Sequence, residues 1–152
     1  MKKLLLLLVV AGVGYIAYNA WSARNAPFEV FKKFADEVAR GRLDLARQYA
    51  DGEIGTMKEG ERFRSAGWTP VEMLHGIRYT LNSQRRSADG NEVTLDVTQR
   101  VAFDPPGAMS AMGGSMRASF KQTAVVRETP SGWKVGSFSS ELLETHEARD
   151  ER

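Results

Sequence analysis

The sequence predicts an α+β domain in which helices precede a four-stranded antiparallel sheet. Over 27–40 the apolar side chains recur at helical spacing. From Ile77 onward they alternate with polar ones, which is the period of a half-buried strand. An uncharged run from Leu4 to Ala20 predicts a separate transmembrane helix ahead of the domain.

The N-terminal segment has the charge pattern of a membrane anchor. Residues 1–3 form a short positive segment with two lysines, and residues 4–21 form the predicted transmembrane helix. Its 17 leading residues without a charge span about 26 Å as a helix, close to a thin hydrocarbon core. Because positive residues favour the cytoplasmic side, we expect a cytoplasmic N-terminus and an extracytoplasmic domain.

A cleaved signal peptide is the alternative for the same segment, and it would produce a secreted domain. Cleavage requires small residues at positions −3 and −1, but Tyr15, Tyr18 and Trp21 occupy the −3 positions before the available alanines. Such aromatic residues are typical of a membrane interface. We therefore expect a single-pass anchor with a tether over 22–26. The compact anchor and the lack of cysteines and glycosylation sequons favour a bacterial inner membrane and a periplasmic domain.

Three helices are predicted after the tether. The first, Pro27–Arg40, has one apolar face and ends at Gly41, which is typical of a helix C-terminus. The second is the short segment Leu43–Tyr49. Thr69-Pro70 supplies a capping hydroxyl and a first-turn proline for the third helix, which runs to about His75. The apolar face of the first helix consists of Phe28, Phe31, Phe34, Ala35 and Val38.

Four strands with one apolar face each complete the domain. The first begins at Ile77 and is joined to a strand over 93–103 by the turn Ala88-Asp89-Gly90. A long loop leads to a third strand over 116–126, and the turn 129–132 leads to a fourth strand from Trp133 to about Leu142. The helices must cover the apolar face of this meander, because it has no other partner.

The order of these elements, together with the closing strand Gly132-Trp133-Lys134-Val135-Gly136-Ser137-Phe138, resembles the NTF2-like (cystatin-like) domains. The resemblance covers residues 27–143 and leaves 144–152 as a charged tail. It implies a cone of three helices packed on a curved four-stranded meander, with a cavity between the helices and the sheet. It implies no activity, because this fold serves enzymes, ligand binders and assembly modules alike.

Enzymes of this family place an aspartate, a histidine or both inside the cone, and the sequence departs from that pattern. Asp96 and Asp104 fall on the solvent face of the second strand. His75, at the predicted end of the third helix, is a candidate acid–base group because its ordinary pKa suits that work. An isomerase- or dehydratase-type enzyme that uses His75 and Tyr79 is therefore one alternative for the function.

Polar residues interrupt the apolar face at Gln99 and Gln122. If the loop between their strands closes symmetrically, the two glutamines stand opposite each other, whereas a slip of two residues makes them diagonal neighbours. The flanking turns then place Tyr79 opposite Gln99 and Ser139 opposite Gln122. We expect these four residues to form a polar row that either satisfies its own hydrogen bonds or binds a mostly apolar ligand.

The loop between the second and third strands is rich in methionine. Met109 and Met112 are expected to contact lipid or a partner protein, because thioether side chains make adaptable apolar contacts. No metal site and no cofactor are predicted. Without its two N-terminal lysines the chain carries 19 basic and 19 acidic residues, so it lacks the electrostatic signature of a nucleic-acid binder.

Taken together, the sequence predicts a membrane-tethered, extracytoplasmic, non-catalytic binding or assembly module. Its partner is expected to be an envelope protein or a small, mostly apolar ligand. A structural subunit of an envelope complex is a further alternative, because Ala11, Gly12 and Gly14 permit close helix contact in a membrane.

Overall fold

A computed structural model describes residues 23, 25–51, 54, 74–103 and 115–148. In this part of the chain two helices and a further helical residue, Ile54, precede a four-stranded antiparallel sheet with the strand order β1-β2-β3-β4. The predicted α+β class and the meander are confirmed. The elements are α1 over 25–39, α2 at Leu43–Arg47, β1 at Leu74–Arg86, β2 at Glu92–Phe103, β3 at Ser115–Thr129 and β4 at Gly132–Ala148.

The first helix, α1, packs on the sheet through its predicted apolar face. Phe31, Phe34 and Ala35 are at most 1 % exposed. The helix ends at Gly41 as predicted: the Gly41 amide donates to the Val38 carbonyl, and the next amide donates back to the carbonyl of residue 37. The predicted start was wrong, because residues 25 and 26 are already helical.

The second helix, α2, is shorter than predicted and leads into an edge contact with β4. After Arg47 the chain turns, and Ala50 forms a parallel bridge with Val135. The Val135 amide donates to the Tyr49 carbonyl, and the Asp51 amide donates to the Val135 carbonyl, both at 2.8 Å. The chain after α2 therefore covers part of the outer edge of β4.

The central strands show the predicted alternation of buried and exposed residues. In β2 every second residue from Val93 to Phe103 is buried, and Ala118, Phe120, Ala124 and Val126 are buried in β3. These residues form the inner face of the sheet, which is the face that packs against α1.

The hairpin between β1 and β2 confirms that Tyr79 lies opposite Gln99. The prediction was correct through two differences that cancel. The loop holds four residues between the paired Ser87 and Glu92, instead of three, and Gly90 takes a left-handed backbone with φ 78°. One extra residue in β1, Asn82, then restores the predicted register.

The predicted end of the third helix was wrong. Leu74 and His75 belong to β1, and His75 is an extra residue between the pairs that Leu74 and Gly76 make with β2. A strand from Leu74 lets Leu74 pack beside Val101 and Phe103 of the neighbouring strand. The rest of the predicted third helix lies outside the described residues.

Between β2 and β3 the symmetrical register was wrong by two residues. Gln99 lies opposite Phe120, and Val97 lies opposite Gln122. The observed register pairs Glu92 with Arg127, whose Nε atom is 2.9 Å from the carboxylate, and it avoids placing Arg100 opposite a lysine. The two glutamines are therefore diagonal neighbours.

The last strand, β4, reaches Ala148, so the predicted charged tail was placed too early. Residues 144–148 pair with β3 as far as Ser115. Two extra residues, Gly136 and Leu143, shift the register of β4 against β3. The sheet supplies backbone hydrogen-bond partners for these residues, which stabilises them in a strand despite their high charge.

The predicted anchor over 4–21, residues 22 and 24 of the tether, and the Met109 and Met112 loop lie outside the described residues, whereas tether residues 23, 25 and 26 are helical. Within the part of the chain that is described, no helix is both long and apolar enough to cross a membrane.

Candidate functional site

A row of polar side chains crosses the inner face of the sheet. The Gln99 side-chain amide donates from Nε2 to the Tyr79 hydroxyl at 3.2 Å, and the Gln122 Nε2 donates to the Gln99 Oε1 at 2.7 Å. Both glutamines are fully buried at 0 % exposure. The diagonal spacing is bridged because a glutamine side chain is long enough to reach the next residue pair along the sheet.

The row continues onto β4 through Ser140, not through the predicted Ser139. Gln122 lies opposite Ser140, whereas Ser139 is exposed and lies opposite Thr123. The reason is the extra residue Gly136, which shifts the pairing of β4 by one position and so exchanges its two faces.

Two polar atoms at this end of the row are buried without a hydrogen-bond partner among the described residues. They are the Gln122 Oε1 and the Ser140 Oγ. A buried polar atom without a partner costs about 1–3 kcal/mol. An acceptor and a hydroxyl that is both donor and acceptor thus stand side by side on facing strands.

At the other end of the row Tyr79 contacts α1. Its ring meets the Phe31 ring edge-on, with the centroids 6.3 Å apart. Burial raises the pKa of Tyr79. The hydrogen bond from Gln99 partly offsets this increase, the carboxylate of Asp36 raises the pKa further, and the guanidinium of Arg40 lowers it. The phenol therefore remains neutral at physiological pH, and the row carries no charge.

The row separates two apolar clusters on the inner face. One cluster lies under α1 and α2, and it includes Phe34, Val97 and Ala124. The other lies beyond the row and is formed by Val101, Phe103, Ala118 and Phe120, with Leu74, Ile77 and Met116 packed against it. A polar strip is thus enclosed on both sides by apolar side chains.

This arrangement is suited to binding. The row offers hydrogen-bond donors and acceptors in an apolar surrounding, which can orient a ligand by a few polar contacts. It offers no charged group, and its single titratable group is a tyrosine whose raised pKa makes it a poor proton donor or acceptor near neutral pH.

No protein-family model matches the chain, and no curated protein matches it either.

The remaining predicted site residues are not brought into the row. His75 lies in β1 at the extra residue described above, four positions before Tyr79 along the strand. Met109 and Met112 lie outside the described residues. Among the described residues no group of three or more histidine or acidic side chains is arranged to hold a metal ion.

Sequence reasoning missed Ser140, although the sequence carried a signal for it. Trp133 and Val135 are apolar at odd positions of β4, whereas Phe138 and Leu142 are apolar at even positions. A change of apolar parity within one strand indicates an inserted residue, and Gly136 stands where the parity changes. Counting from the second half of the strand would have placed Ser140 on the inner face.

Proposed function

We propose that this chain is a non-catalytic binding domain whose buried polar row recognises a small, mostly apolar ligand. The observation that carries the proposal is the pair of buried, unpartnered atoms, the Gln122 Oε1 and the Ser140 Oγ. A purely structural network would gain nothing from an end left unsatisfied. A ligand that supplies the missing hydrogen-bond partners would remove the free-energy cost of these two buried atoms.

The fold that we propose around this row is an NTF2-like cone. The amphipathic α1 lies over a four-stranded meander, and the polar row has apolar clusters on both sides. In the cone, a third helix from the segment after α2 would close the inner face beyond the row. Circular dichroism and amide exchange of residues 69–73 would test for this helix.

We also propose that the domain is tethered to a bacterial inner membrane and faces the periplasm. The support is the uncharged segment 4–21 with two lysines before it and bulky aromatic residues at its far end. Mass spectrometry of the protein from a membrane fraction should find the intact N-terminus. A mature chain that begins near residue 21 would instead establish a cleaved signal peptide.

The alternative of catalysis by His75 and Tyr79 has less support. An acid–base pair works best when its pKa values lie near the operating pH, whereas burial raises the pKa of Tyr79. The tyrosine hydroxyl is also engaged as the acceptor for Gln99.

The binding proposal is tested by identifying the molecules that co-purify with the protein from the membrane. The full-length wild type and a Gln99→Met/Gln122→Met double variant are purified in mild detergent, and bound small molecules and proteins are identified by mass spectrometry. Gln48→Met is the matched control, because Gln48 is exposed on the protein surface. Circular dichroism verifies that all three are folded.

We expect a small molecule that accompanies the wild type and the control in near-stoichiometric amount and is lost from the double variant. Equal retention by the folded double variant would overturn the assignment of the row as the binding site. A co-purifying protein without any small molecule would favour an assembly role.

A further inference from the structure

The inner face of β3 and β4 contains a block of four residues that combines the unpartnered polar atoms with an apolar surface. Gln122 lies opposite Ser140, and the next inner-face pair along the strands is Phe120 opposite Leu142. The two pairs are about 7 Å apart, because two residues of a strand rise by about 3.4 Å each. One pair is polar and the other is apolar.

The block extends from the buried interior to solvent. Gln122 is 0 % exposed and Phe120 is 4 % exposed, whereas Leu142 is 50 % exposed. Leu142 is therefore an inner-face residue whose apolar surface is open, directly next to the buried polar pair. A ligand that enters over Leu142 meets an apolar surface first and the unpartnered polar atoms about 7 Å further in.

The chemistry of the polar pair restricts the group that it can bind. Gln122 presents a carbonyl oxygen, which accepts a hydrogen bond, and Ser140 presents a hydroxyl, which can donate one. The flanking inner-face residues Gln99, Ala124 and Phe138 carry no charge. An anionic carboxylate would be buried without any compensating cation at these positions, which is strongly unfavourable.

The glutamine pair also adjusts to the bound group. If both amides turn over, Tyr79 donates to Gln99, Gln99 donates to Gln122, and Gln122 then presents its amino group at the end of the row. The Tyr79 hydroxyl permits this, because it can donate or accept. The row can thus form a hydrogen bond with either a donor or an acceptor of the ligand, but it has no charged group that could neutralise a ligand charge.

We propose that Gln122 and Ser140 bind the neutral head group, a carboxamide or an alcohol, of an amphiphilic ligand whose apolar chain lies against Phe120 and Leu142. This inference rests on the proposed binding function and names the chemical class of its ligand.

Three probes with the same six-carbon chain test the head group: hexanamide, 1-hexanol and hexanoate at neutral pH. Each is titrated into the full-length protein in mild detergent, with ¹⁵N label on the glutamine side chains, of which the chain has only Gln48, Gln84, Gln99 and Gln122. We expect hexanamide and 1-hexanol to shift the side-chain signals of Gln99 and Gln122. Hexanoate is expected to bind at least tenfold more weakly, because its charge is not compensated.

Paired variants test the two halves of the block. Ser140→Ala is expected to weaken hexanamide binding about tenfold, since one hydrogen bond is lost in a buried site, while the exposed Ser139→Ala leaves it unchanged. Leu142→Ala is expected to weaken all neutral probes severalfold. Leu143→Ala is its control, because Leu143 is similarly exposed at 55 % but is one of the two extra residues of β4 and is not paired with Phe120.

The results separate this inference from the proposed function. Hexanoate binding as tight as hexanamide binding, or Ser140→Ala and Leu142→Ala that both fold and bind like the wild type, would overturn the head-group assignment. If those results appear while the double methionine variant still loses its co-purifying molecule, the binding function stands and only the ligand class is wrong. If no probe shifts Gln99 or Gln122 and no molecule co-purifies, both are wrong.

Discussion

Replacement of Gln99 and Gln122 by methionine, one at a time and together, measures how the amide row contributes to stability. Methionine has a flexible side chain that fills a buried space without an amide. In the wild type the Gln122 Nε2 is 2.7 Å from the Gln99 Oε1, and the Gln99 Nε2 is 3.2 Å from the Tyr79 hydroxyl. The Gln122 Oε1 has no partner among the described residues.

The three variants leave different atoms unsatisfied. Gln99→Met strips the Gln122 amide of its last partner, so it should lower the free energy of unfolding by about 1–3 kcal/mol. Gln122→Met leaves the Gln99 Oε1 without its hydrogen-bond donor, but it also removes the Gln122 Oε1, which has no partner among the described residues in the wild type. The loss and the gain in the free energy of unfolding nearly cancel. The double variant removes both amides, so its stability should equal or exceed that of the wild type by up to about 2 kcal/mol. The coupling between the two sites, which is the double effect minus the sum of the single effects, is then about 1–5 kcal/mol.

Urea unfolding of the full chain in mild detergent, followed by circular dichroism, measures these differences. Gln48→Met provides the baseline for loss of an exposed amide, and it should lie within about 0.5 kcal/mol of the wild type. Single effects that add to the double effect within about 0.5 kcal/mol would refute the reasoning, because bonded amides cannot be energetically independent.

Three further predictions concern the neighbourhood of the row. Ser140→Ala should stabilise the unliganded protein by about 1 kcal/mol, because it removes a buried hydroxyl without a partner among the described residues, while Ser139→Ala should change urea unfolding little. Gly136→Ala should lower the free energy of unfolding by up to about 1 kcal/mol relative to Gly76→Ala in the same assay. Its new Cβ would lie 3.2 Å from an arginine side chain of β3 and disturb the exposed ion pair of that arginine with β2, whereas nothing lies within 4 Å at Gly76. Wild-type stability should fall as pH rises past about 10, where an unfolded tyrosine ionises, because burial keeps Tyr79 protonated in the fold. Tyr79→Phe should make this fall shallower, and equal slopes in pH-dependent unfolding would contradict the assigned burial.

Local patterns predicted the sheet well, because the two-residue period of a strand is independent of its partners. The alternation in β2 is present over the whole strand from Val93 to Phe103. The apolar face of α1 is likewise buried as the helical spacing predicted. Both patterns require only that one face of an element packs on a core.

Registers and strand ends were harder to predict, since they depend on energies between elements. The length of the sequence between β2 and β3 does not predict their register, whereas the pairing of Glu92 with Arg127 is favoured by charge. The extra residue at Gly136 decides whether Ser139 or Ser140 joins the row. His75 was assigned to a helix because a capping signal six residues earlier says where a helix starts but not where it stops.

The described strands carry all four of their extra residues on the two edge strands, and this placement links the shape of the sheet to its site. Asn82 and His75 lie in β1, and Gly136 and Leu143 lie in β4, while β2 and β3 pair without interruption. An extra residue bends and twists a strand and makes its edge a poor template for another strand.

In β4 the extra residue Gly136 also turns Ser140 towards Gln122. A regular β4 with this sequence would direct Ser139 inward, and Phe138 would leave the ring contacts that it makes with Phe31 and Phe34. The irregular edge thus supplies one of the two unpartnered atoms from which the binding function is inferred.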